Sequence, residues 1–147
     1  MYVVAHELAH AKNNDVLVGT FLGALGGIAG VSALALLLDA QSVRSRTGTR
    51  GEADARLVPL VLGLVAVGSL LASPAVNTVS RAIEARADRV SLAATGDDEA
   101  FVAMQHRLAV QAVRDPTPPG WSQFWFGTHP TALQRAGMPR SLQEAAE

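Results

Sequence analysis

Two stretches of this 147-residue chain carry no charged side chain: Val16 to Leu38 and Leu57 to Val76. Each is long enough to cross a hydrocarbon core of ~30 Å as a helix. A soluble globule of this length lacks the surrounding protein to bury two such helices. The first run follows a polar segment holding His6, Glu7, His10, Lys12 and Asp15, exceeds the length of a signal-peptide core, and is followed by a second run, so it does not read as a secretion signal. The expectation is a mainly all-α integral-membrane protein with an antiparallel helical hairpin at its centre. Charged residues, at 17%, fall below the ~25% of ordinary soluble domains, which fits the lipid bilayer as one partner. The absence of cysteine excludes disulfides and cysteine-ligated metal sites. A net charge of −1 offers no concentrated basic surface, so nucleic acid is not expected as a partner.

The chain reads as a single region, 1–147, with spans at about 16–38 and 57–76, a polar loop at 39–56 and further helices over 77–147. Gly19, Gly23 and Gly27, with Gly26 and Gly30 beside them, form a small-residue stripe that would let another helix approach closely. Pro59 suits a first helical turn, whereas Pro74 is expected to kink the second span. Arginines 44, 46, 50 and 56 on one side balance Lys12, Arg81, Arg86 and Arg89 on the other, so charge does not choose an orientation. Past the second span, helix continues from Arg81 to Thr95 and stops at Gly96. Asp97 and Asp98 then cap a helix through Val113 with Phe101, Leu108 and Ala112 on one face, and a short polar helix closes the chain. The aromatic cluster of Trp121, Phe124, Trp125 and Phe126 reads as an interfacial belt or plain packing.

The chemistry concentrates in His6-Glu7-Leu8-Ala9-His10, an HExxH sequence. On a helix, residues i and i+4 share a face, so both imidazoles can reach one zinc ion. Glu7 would then stand beside the metal as the general base for a water whose pKa zinc lowers towards ~7. A catalytic zinc takes three protein ligands and keeps one position open. The histidines lie 6–10 residues ahead of the first span, and Glu84 lies eight residues past Val76. At 1.5 Å per residue both sit roughly 9–15 Å beyond the hairpin's ends, so Glu84 is the expected third ligand. Asp88, one turn further on, is placed to accept a hydrogen bond from the outer nitrogen of a ligating imidazole. His129 is a candidate donor to the oxyanion of a tetrahedral intermediate. Asp15 is positioned to cap or orient the helix bearing His10, and His106 receives no role.

Three segments in order, VVAHELAHAKNND, NTVSRAIEARADRVSL and FGTHPTALQR, around a two-span insertion, resemble the catalytic half of the type I CAAX prenyl endopeptidases. These are integral-membrane zinc metalloproteases. The resemblance implies one zinc per chain in a gluzincin-like arrangement of His6, His10 and Glu84, with Glu7 as base, Asp88 supporting the metal site and His129 binding substrate or transition state. Asn77 matches a polar position ahead of the Ser80–Arg81 pair. It implies cleavage of prenylated or other membrane-associated peptides, with the zinc site facing the cytoplasm. Ala9 stands where close relatives carry glycine, and Gln134 where the family usually carries an acid ahead of Arg135. Family members have further spans before HExxH, so the chain reads as a portion of a larger enzyme whose N-terminal helices would complete it. Richness in Arg and Ala with a single lysine suggests a GC-rich bacterial genome, hence the bacterial cell membrane and a broader peptidase role. The competing readings are a membrane metalloprotease of the antibiotic-sensor type and a shortened, non-catalytic membrane protein that keeps a structural zinc site closed by His129.

Overall fold

The computed structural model describes residues 1–49 and 54–145, and these contain helices and no strand. Helix α1 spans Tyr2–Lys12, α2 spans Asp15–Asp39 and α3 spans Gln41–Thr47. A 3-10 turn, Ala55–Leu57, leads into α4, Val58–Thr95. Then follow α5, Asp98–Gln111, α6, Gly120–Phe126, α7, Ala132–Ala136, and α8, Met138–Glu144. The α2 helix and the helix beginning at Ala55 are each long and apolar enough to cross a membrane. The chain forms two compact units, one of residues 1–16 with 73–147 and the other of residues 17–72.

The 17–72 unit holds most of both apolar runs. Phe21, Ile28, Val31 and Leu36 of α2 are each more than 60% exposed, as expected of a helix that is apolar all round. No heavy atom lies within 4 Å of where a Cβ would stand on Gly19, Gly23 or Gly27, so the stripe has no close helical neighbour among the described residues. A groove of about 440 Å³ instead runs between the Gly26–Gly30 side of α2 and Leu64, Gly68 and Ala72 of α4. The 39–56 segment is not the plain loop expected: α3 and the 3-10 turn occupy part of it. Its charges pair locally, Arg44 with Asp39 and Arg56 with Asp54. Arg50, counted in that loop from sequence, lies outside the described residues.

Helix α4 runs through Pro74 and on to Thr95, so the apolar segment and the polar segment after it are one helix, as the continuation past the second span led one to expect. A proline removes one backbone N–H, and the rest of the ladder carries the helix past it. Gly96, at φ 62°, ends it. Helix α5 stops at Gln111 rather than Val113, which sits at φ 49°. Its buried positions are Phe101 and Gln105, while Leu108 and Ala112 are exposed. Asp97 caps it as expected, accepting from the Ala100 N–H. The C-terminal segment is two short helices with Met138 and Pro139 buried, not one polar helix.

In the unit of residues 1–16 and 73–147 the core is small: Tyr2, Leu92, Phe101 and Met138, drawn from α1, α4, α5 and α8. Phe101 is fully buried, which is worth roughly 1.5–3 kcal/mol. The Tyr2 ring meets it edge-on with centroids 5.6 Å apart, a preferred aromatic geometry. The Tyr2 hydroxyl donates to the Asp97 carbonyl and accepts the Asp97 N–H at 3.0 Å. These contacts pin the start of α1 to the α4–α5 junction. Periodicity does the rest. Tyr2, His6 and His10 are spaced by four residues, as are Leu92, Asp88 and Glu84, so each step along α1 faces a matching step back along α4.

Candidate metal centre

The Nε2 atoms of His6 and His10 are 3.1 Å apart. Glu84 reaches both, Oε2 lying 3.4 Å from His6 Nε2 and Oε1 3.7 Å from His10 Nε2. His6, His10 and Glu84 form a group that could hold a metal ion, each offering a ligand atom within 4.8 Å of the others. Ligands of a tetrahedral zinc at 2.0–2.1 Å stand about 3.4 Å from one another, so the observed separations suit that ion. Two imidazoles and one carboxylate are also the donor set of catalytic zinc sites that keep one position open.

Each imidazole is held from behind. His6 Nδ1 lies 3.0 Å from Asp88 Oδ1, and His10 Nδ1 lies 2.9 Å from Asp15 Oδ2. With Nδ1 engaged, Nε2 of each ring is left for the group in the middle. Asp88 is fully buried and takes a two-point hydrogen bond from Arg135, Nε to Oδ2 at 2.7 Å and Nη2 to Oδ1 at 2.6 Å. Hydrogen bonds that the ring donates to the Asp88 and then the Glu84 carboxylate push the His6 pKa up to about 9, against the opposing effect of burial.

His129 also meets the group, with Nε2 3.5 Å from Glu84 Oε2, yet it stands outside the mutually close set of three. Burial lowers its pKa, favouring the neutral ring. The turn that carries it is anchored to α4: Arg81 donates to the carbonyls of Gln123 and Gly127 at 3.1 and 2.6 Å, and Asn77 to that of Trp125 at 2.5 Å. The Gln123 amide donates to the His129 carbonyl at 2.7 Å. A Cβ on Gly127 would come within 2.3 Å of that amide, so a side chain there would displace it. Trp121, Phe124 and Phe126 of α6 remain substantially exposed. Glu7 is exposed on α1, about 100° round from His6, with no partner among the described residues. His106 borders a surface hollow lined by α5 alone, where no other element brings a group to it.

Arg135, Arg81 and Asn77 make contacts that the sequence did not disclose, and Asp15, expected to cap or orient the helix bearing His10, meets the His10 ring itself. In sequence Arg135 is only an arginine beside Gln134, where the resemblance implies an acidic neighbour. In the structure Gln134 closes a capping box with Thr131, and Arg135 supplies the ion pair to Asp88 across 47 residues. Arg81 and Asn77 bind carbonyls 42–48 residues away, and backbone acceptors leave no signature in side-chain sequence. Asp15 stands five residues after His10, a spacing no single helix turns into a contact.

The profile of peptidase family M48 matches residues 1–141. The chain is 28% identical over its full length to an uncharacterized metalloprotease, YhfN, of Bacillus subtilis, covering 35% of that protein. It is 27% identical to a Protease HtpX homolog of Burkholderia lata and 29% to one of Burkholderia mallei, in each case over 90% of this chain and 50% of the relative. The chain thus spans about a third to a half of the curated relatives it matches. No solved structure matches it. A profile match over almost the whole sequence, together with relatives described as proteases, places the residues above in a known setting: the chain belongs to peptidase family M48.

Proposed function

We propose that this chain carries the catalytic centre of a membrane-embedded zinc metalloendopeptidase. The observation that supports this most is the convergence of two HExxH Nε2 atoms on a carboxylate from a distant helix. His6, His10 and Glu84 would hold the ion. When bound, zinc supplies Lewis acidity, lowering the pKa of a water to ~7 and polarising a peptide carbonyl. Glu7 then takes the proton and passes it towards the leaving amine. Asp88, backed by Arg135, keeps the His6 ring turned with Nε2 inward. His129 donates a hydrogen bond to the substrate or to the developing oxyanion. Its place outside the close group of three favours an open fourth position over a closed structural site.

The partners of this reading are peptides or proteins lying at a membrane, the bilayer itself, and N-terminal helices of a longer enzyme. The cell would be bacterial, the protein in its cell membrane and the zinc site on the cytoplasmic side. Prenylated C-terminal peptides are the narrower substrate class implied by the resemblance to the CAAX prenyl endopeptidases. Zinc analysis of the detergent-purified protein beside Glu84→Ala tests the reading. About one zinc per chain in the parent, little in the variant, and peptide cleavage that a chelator abolishes and zinc restores are expected. Zinc content unaffected by Glu84→Ala would remove Glu84 from the ligand set, and cleavage indifferent to chelation would overturn the metalloenzyme.

Proton competition gives a second expectation. The His6 pKa in the folded metal-free chain, about 9, lies above the ~6.5 of an unfolded histidine. Its protonated form therefore stabilises the metal-free protein fully below pH ~6.5, and that contribution is lost as pH rises through 9. A ligating imidazole must be neutral, so zinc uptake near pH 7 should release this proton, and affinity should rise about tenfold per pH unit towards pH 9. Titration calorimetry in buffers of different ionisation enthalpy reads this directly. Affinity independent of pH across that range would contradict it.

A further inference from the structure

The ring of His10 is held by a residue to which no role in the chemistry has been given. Asp15 is buried, 7% exposed, with Oδ2 2.9 Å from His10 Nδ1. Its other carboxylate oxygen accepts from Arg86 of α4. Continued helix would put a residue five positions on about 140° round from His10 and out of reach. The chain avoids this by breaking at Asn13 and Asn14. Asn13 closes α1, its N–H and its side-chain amide both donating to the Ala9 carbonyl, at 3.1 and 2.7 Å. Asn14 takes φ 55°, a left-handed conformation that asparagine tolerates. The first residue of α2 is thereby returned to the side of the ring.

We infer that Asp15 is a positioning residue of the metal centre, fixing His10 with its proton on Nδ1 and its Nε2 lone pair directed at the ion, with Arg86 holding the carboxylate. This rests on the metal site proposed above. Each HExxH histidine then has an Asp–Arg pair behind it, Asp88–Arg135 for His6 and Asp15–Arg86 for His10. The two are unequal. Arg135 grips Asp88 with two nitrogens, whereas Arg86 uses one terminal nitrogen, and its Nε is buried without a hydrogen-bond partner among the described residues. Loss of Asp15 should therefore cost more than loss of Arg86. A purely structural role is the rival: an acid in the first turn of α2, favoured by the helix dipole, would affect stability alone.

The full chain in detergent micelles, with Asp15→Ala, Asp15→Asn and Arg86→Gln, separates the two. Zinc affinity, measured by competition with a chelating dye, should fall roughly 10–100-fold in Asp15→Ala. It should fall less in Asp15→Asn, which keeps an acceptor, and least in Arg86→Gln. Nitrogen-15 NMR of the metal-free protein at alkaline pH should find the His10 ring protonated on Nδ1 in the parent and shifted to Nε2 in Asp15→Ala. A lowered unfolding temperature with zinc affinity and tautomer both unchanged would overturn the inference. Should Asp15→Ala fail to fold, Asp15→Asn carries the same comparison, full parental affinity and tautomer in it counting against a role for the carboxylate charge. Should the parent bind no zinc, the proposed function fails separately, and the parent's tautomer decides alone: a proton on Nε2 overturns the assignment.

Discussion

Glu7→Gln should reduce peptide cleavage by on the order of 10²–10⁴-fold while leaving about one zinc on each chain. Glutamine preserves the size of the side chain and its hydrogen-bonding reach but cannot accept a proton at neutral pH. Glu7 lies outside the group of His6, His10 and Glu84 whose ligand atoms are mutually close, so its loss should spare the metal. It is also exposed and unpartnered among the described residues, so no folding contact is broken. Zinc content and cleavage must be read on the same preparation. Parental cleavage in the variant would sink the role of general base. Loss of zinc would instead make Glu7 a ligand or a support of one.

Arg135→Ala should destabilise the protein by about 3 kcal/mol or more, because it strands a buried carboxylate. Asp88 has no exposed surface, and Arg135 gives it two of its hydrogen bonds. The remaining partner, His6, is itself a proposed metal ligand, so the variant should also bind zinc more weakly. Denaturant unfolding in micelles would measure the first effect and chelator competition the second. Adding Asp88→Asn to Arg135→Ala should cost less than the two single changes summed, since the pair fails as a unit. A loss below about 1 kcal/mol in Arg135→Ala would mean that the carboxylate finds water or another cation.

Much of the helical architecture was legible in the sequence because it is written in local periodicity. The apolar run 16–38 falls within α2, and 57–76 within α4 and the last residue of the 3-10 turn before it, since length and the lack of charge are properties of a single segment. His6 and His10 fall on one face because four residues make about one helical turn. Glu84 was reachable by counting rise per residue, which needs only that helix continue past Val76. Where one residue's conformation decides the outcome, local reading failed: α5 stops two residues short at Gln111, and a helix forms at 41–47 where loop was expected.

What the tertiary structure alone decided are the contacts that join segments far apart in the chain. Arg135 reaches Asp88 across 47 residues, Asn77 reaches the Trp125 carbonyl across 48, and Arg86 reaches Asp15 across 71. No periodicity relates such pairs, because a long-range contact depends on how whole helices are set against each other. Asp15 shows the limit most plainly: five residues from His10, it reads from sequence as a cap or support of that helix, and its contact with the ring itself is not legible there. Its contact exists because one asparagine adopts a positive φ and turns the chain back. The candidate ligand types and their helical spacing were thus determined by sequence, and the orientation of the imidazoles by tertiary packing, because hydrogen-bond partners are chosen in space.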